Sequence, residues 1–95
     1  MKNNMTLTKK QQKVVNGMPK STQKKFGVLF STLKKGITLT GLKETYDVKE
    51  MWINNYAGQN IYRVKFDYRF RAMVQVGSNG VLNFVEVQSR EGLLK

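Results

Sequence analysis

The sequence predicts an α+β fold in which two N-terminal helices pack on a small antiparallel sheet, a three-strand C-terminal meander. Three observations carry that prediction. Phe26, Leu29, Phe30 and Leu33 recur at i, i+3, i+4 and i+7, the stripe of a helix with one buried face. Residues 61–87 alternate apolar and polar at period two in three runs. The chain has 95 residues, which suits one domain and one core rather than two.

In chain order, residues 2–7 are too polar to assign, and a short edge strand there would add a fourth strand to the sheet. Leu7, Gln11, Val14, Val15 and Met18 then follow helical spacing, Gly17 stops this first helix, and Pro19 suits the first turn of the next. The second helix carries the aromatic stripe, with Ile37 extending it, Lys24, Lys25, Lys34 and Lys35 off it, and Gly36 at its end. Over 37–60 the pattern weakens. Asp47 with Glu50 three residues on resembles a capping box, which predicts a helix carrying Val48, Met51, Trp52 and Tyr56 on one face until Gly58. A strand through Met51, Trp52 and Ile53 is the alternative, and Trp52 is expected at the core edge, with base stacking as its other use. The meander runs through 61–66, 70–76 and 81–87, its last two strands joined by Gly77-Ser78-Asn79-Gly80, whose Asn-Gly pair is favoured hairpin chemistry.

Charge narrows the function. Lys and Arg number 17 against 6 Asp and Glu, a formal net charge of +11, and residues 1–43 hold ten Lys and no acid. Such a chain seeks anions. With no Cys and no His, thiolate and imidazole catalysis are excluded, and so is the usual zinc, copper or haem ligation. The acids fall in no calcium-loop or two-metal spacing, so neither a metal nor any other cofactor is expected. The longest strongly apolar stretch, 26–33, is far below the ~20 residues of a membrane span, and the expected location is cytoplasmic, away from membranes.

Parity locates the candidate site. Tyr62, Val64, Phe66, Phe70, Ala72, Val74 and Val76 are even-numbered, whereas Arg63, Lys65, Arg69 and Arg71 are odd. One sheet face should therefore meet the helices while the other displays a field of cations almost free of acids, with Arg90 joining from the strand end. Fixed guanidinium groups can stabilise the phosphorane formed when a 2′-hydroxyl attacks its own phosphodiester, with Lys65 or Glu86 as base. Arg69, Lys24, Lys25, Lys34 and Lys35 are the further candidates for nucleic-acid contact.

The runs IYRVKF, DYRFRAMVQV and VLNFVEVQSRE, behind two helices joined at Met18-Pro19, resemble the RelE/ParE superfamily of type II toxin–antitoxin systems over roughly residues 7–91. The resemblance implies a RelE/ParE-like fold and a metal-independent endoribonuclease that cuts ribosome-bound mRNA and stops translation. It also implies an acidic antitoxin as partner. By position, Arg63 and Lys65 match the family's basic pair on the first meander strand, Arg71 the arginine opening the second, with Arg69 in its place if the turn is shorter, and Arg90 the basic residue after the third. The family's C-terminal Tyr or His has no counterpart in Gly92-Leu93-Leu94-Lys95. That departure keeps two other readings open: a ParE-like inhibitor of DNA gyrase, and a non-catalytic nucleic-acid-binding module of phage or plasmid origin.

Overall fold

The computed structural model describes residues 7–51, 60–77 and 80–89. Three helices, α1 (Lys9–Asn16), α2 (Lys20–Lys35) and α3 (Leu39–Thr45), precede four strands, β1 (Asp47–Glu50), β2 (Ile61–Lys65), β3 (Phe70–Val76) and β4 (Leu82–Ser89). The strands form one antiparallel meander in the order β1-β2-β3-β4.

Local chemistry sets the helix bounds. Thr8 caps α1 by accepting the Gln11 N–H at 3.1 Å, and the Gly17 N–H closes its end on Lys13 and Val14. Pro19 stands at the N-cap of α2 rather than inside its first turn, and Gly36, at φ 92°, ends that helix in the left-handed conformation glycine adopts without strain. Phe26, Leu29 and Leu33 bury against Val64, Phe66, Ala72, Val74, Leu82 and Val87, with Phe30, Tyr62, Phe70 and Val76 packed at the margin. Phe26 is the hub of an aromatic group, its ring 5.6 Å from Phe30 and Phe66 and 5.8 Å from Phe84. The amide of buried Gln11 reaches from α1 to β4 and accepts the Val87 N–H at 2.6 Å.

The segment after α2 differs from the sequence expectation. Two helices were expected before the sheet and three are present, because Thr38 caps an additional helix by accepting the Gly41 N–H at 3.1 Å, with Leu42 buried beneath it. Asp47 and Glu50 cap no helix; they bound β1, the fourth strand. The reason is the alternation of Tyr46 and Val48, which pack on the core while Asp47, Lys49 and Glu50 stay exposed, and which pairs Val48 with Val64. Met51 N–H donates to Ile61 O at 2.9 Å, tying the end of β1 to β2. The edge strand considered for residues 2–6 and the roles considered for Trp52, Ile53, Tyr56 and Gly58 lie outside the described residues, as do Ser78 and Asn79. Gly80, at φ 81°, closes the β3–β4 hairpin, its N–H donating to Gly77 O while the Gly77 N–H donates to Val81 O.

A bulge between Met73 and Val74 changes the parity of β4. Val74 pairs with Phe84 whereas Met73 pairs with Glu86, which leaves Val85 as the extra residue. Leu82 and Phe84 therefore reach the core at even positions and Val87 at an odd one, and Glu86 is turned to the opposite face.

Candidate nucleic-acid interface

Antiparallel register assembles the face opposite the helices row by row. One row reads Lys49, Arg63, Met73 and Glu86 across the four strands, and the next reads Asp47, Lys65, Arg71 and Gln88. The expectation of a face almost free of acids is corrected by these rows: Asp47 lies across from Lys65, and Glu86 shares the row of Arg63. The face is also partly apolar, since Met51, Ile61 and Met73 form a second buried cluster to which no helix residue belongs. What remains basic is concentrated on β1 and β2. Lys49 and Lys65 are exposed and Arg63 half-buried, and Lys49 and Arg63 are direct cross-strand neighbours of like charge, a pairing that destabilises a bare sheet.

Arg71 has a different surrounding from the one its parity suggests. Only 8% of its surface is exposed, and its Nη1 donates to the carbonyl oxygens of Asp67 at 2.6 Å, Tyr68 at 3.1 Å and Phe70 at 3.0 Å. The guanidinium thus braces the turn between β2 and β3. Asp67 completes the brace from the other side: its Oδ2 accepts the Arg69 N–H at 2.9 Å, and its Oδ1 accepts from Thr22 at 3.2 Å and Lys25 at 3.4 Å. Burial is the largest influence on this carboxyl and pushes its pKa up, but those hydrogen bonds and the Lys25 charge together outweigh burial and hold it below the ordinary value.

The sequence candidates consequently separate into three groups. Arg63 and Lys65 share the outer sheet face, and Arg69 stands exposed on the adjoining turn. Lys24, Lys34 and Lys35 are exposed on α2, whose apolar stripe packs on the other face, and Lys34 Nζ rests 5.7 Å from the Phe30 ring centroid. Lys25 alone of the four reaches the turn, through Asp67. Arg90 lies outside the described residues.

Two candidates were not found by sequence reasoning. Lys49 was hidden by the expected helix, although the same two-residue alternation that marks Arg63 and Lys65 marks it. Tyr68 sits in the turn with 71% of its surface exposed, beside Arg69. An aromatic between Asp67 and Arg69 in a turn was the available signal.

Among the described residues no three His, Cys, Asp or Glu side chains gather to hold a metal, and no helix is long and apolar enough to cross a membrane. Comparisons with models of protein families, with curated proteins and with solved structures find no match to this chain.

Proposed function

We propose that this chain is a RelE/ParE-like toxin that binds single-stranded RNA on the outer sheet face and cleaves translated mRNA there, held in check by an acidic antitoxin. The observation that carries the reading is the grouping of Lys49, Arg63 and Lys65 on the sheet face opposite the α2 stripe, with two like charges directly opposed. Phosphates would relieve that repulsion. The chemistry requires little of the protein. The substrate 2′-oxygen forms a bond to phosphorus as the bond to the 5′-oxygen breaks, the Glu86 carboxylate accepts the 2′-hydroxyl proton, and the Lys65 ammonium gives a proton to the departing 5′-oxygen. Arg63 faces the charge that accumulates on the phosphorane. Arg71 acts as a positioning residue through the turn it braces.

The test is cleavage of translated mRNA by the full chain in EDTA. Products should carry 2′,3′-cyclic phosphate or 3′-phosphate ends, and Arg63→Ala should reduce the rate about 10²-fold, the loss typical of one preorganised donor. RNA affinity should fall with salt at a log–log slope of about −3 to −5, as expected when ~4–6 phosphates are neutralised. Absence of RNA binding at low salt would overturn the reading. A second reading, RNA binding without cleavage, is favoured by one observation: Arg71, the family-position arginine, has its Nη1 committed to three carbonyl oxygens. Salt-dependent binding with uncut mRNA would select it.

A further inference from the structure

Beside the braced turn the surface opens into a cleft of about 620 Å³. Gly17, Met18 and Pro19 form one wall, and Tyr68, Arg69 and Phe70 the other. Both walls are fixed before any ligand arrives. Gln23 Nε2 donates to Met18 O at 3.0 Å and to Asn16 O at 3.4 Å, which anchors the α1–α2 connection to the first turn of α2. The opposite wall is fixed by the bonds of Asp67 and of Arg71. The interior of this turn is therefore occupied by polar partners while its two outward side chains, Tyr68 and Arg69, stay exposed.

We propose that this cleft takes one nucleotide unit, the base stacking on the Tyr68 ring and the phosphate meeting Arg69, and that on the RNA-binding reading above it receives a nucleotide of the bound strand. Its size falls in the range of small-molecule sites. A π-face beside a cation is the pair of groups that a nucleotide matches, and base stacking on an aromatic ring is indifferent to base identity. The one carboxylate nearby does not oppose a phosphate strongly, because Asp67 already accepts from Thr22, Lys25 and the Arg69 main chain, and its side chain is only 8% exposed. Position supports continuity with the sheet face. Lys65 pairs with Arg71 at the end of β2 adjoining the turn, so a strand following Arg63 and Lys65 arrives at Tyr68.

The experiment titrates the isotope-labelled full chain with AMP, with adenosine and with inorganic phosphate, reading amide shifts, and then with a five-nucleotide uridine RNA. Saturable shifts at Gly17, Tyr68, Arg69 and Phe70 are expected with AMP and again with the RNA. Tyr68→Ala should weaken AMP binding about tenfold or more, while Tyr68→Phe, which keeps the ring, should bind as the parent does. Arg69→Gln should weaken AMP and leave adenosine unchanged. The exposure of Tyr68 makes these variants safe for folding. Unmoved amides at the cleft, equal AMP affinity in Tyr68→Ala, or equal shifts with phosphate alone would each overturn the proposal. The two readings fail separately: a chain that fills the cleft with AMP but neither binds nor cuts RNA removes the ribonuclease and keeps the site. A chain that cuts RNA with its cleft amides unmoved does the reverse.

Discussion

The β3–β4 hairpin is closed by two main-chain hydrogen bonds around a left-handed glycine, whereas the β2–β3 turn is held by the side chains of Thr22, Lys25, Asp67 and Arg71. Both connect adjacent antiparallel strands, so strand pairing alone does not demand the second arrangement. It places a buried arginine and a largely buried carboxylate in a turn, groups whose desolvation is unfavourable unless every polar atom finds a partner. What the arrangement secures is a fixed backbone beneath Tyr68 and Arg69. A connection is built from glycine where it only has to reverse the chain, and from a polar network where it has to present side chains.

That contrast can be broken experimentally, and the largest effect is expected at Arg71. Arg71→Ala leaves three carbonyl oxygens without their donor and should lower unfolding stability by about 2–4 kcal/mol in urea denaturation. Arg71→Lys keeps the charge without the planar fork and should restore less than half of it. A loss under ~1 kcal/mol would mean that the turn does not depend on the brace.

Asp67→Ala should cost about 1–2 kcal/mol, mostly through the lost hydrogen bonds from Thr22 and the Arg69 N–H, since Lys25 Nζ is on a side chain 57% exposed and its ion pair is screened. The pH dependence has a defined sign. Because the folded-state pKa of Asp67 is depressed, its contribution is complete above the unfolded value of about 3.9 and is lost as pH falls through the folded value. Wild-type stability should therefore drop on acidification below about pH 4, and Asp67→Asn should flatten that part of the profile.

At the other turn the expected effect is smaller. A Cβ at Gly80 would meet no atom within 4 Å, so Gly80→Ala should cost only the backbone strain of φ 81°, about 1 kcal/mol, without touching RNA or nucleotide binding. The smallest effect is on the sheet face. Lys49→Glu replaces a like-charge neighbour of Arg63 with an opposite one and should raise stability by about 0.2–1 kcal/mol while weakening RNA binding, so that stability and affinity move in opposite directions.

Much of this architecture was legible in the amino-acid order where a single period dominates. The α2 stripe and the alternation through Val64, Ala72 and Val74 identify the main core, and the same alternation puts Arg63 and Lys65 together. It was not legible where two patterns coexist. Asp47 and Glu50 satisfy a helix cap by spacing, while Tyr46 and Val48 satisfy a strand by alternation, and pairing with β2 decides between them. The bulge at Val85 is invisible to simple parity because it interrupts the count within one strand. Arg71 has the parity of a surface residue, yet its long side chain folds back four residues to the Asp67 carbonyl, a contact that alternation does not encode.

The Gln11 amide on the Val87 N–H bears on how this chain meets other molecules. Among the described residues β4 ends the strand order, a place where an N–H that nothing takes would invite another chain's backbone. Gln11 fills that position from α1 with a bond of 2.6 Å. At the other end of the described order, β1 is only four residues long, with Asp47, Lys49 and Glu50 exposed. At both ends of the described strand order these side chains discourage lateral growth of the sheet into a neighbouring copy. A protein this basic can then gather around a polyanion at high local concentration with fewer routes to edge-to-edge aggregation, leaving side chains rather than open backbone to make its contacts.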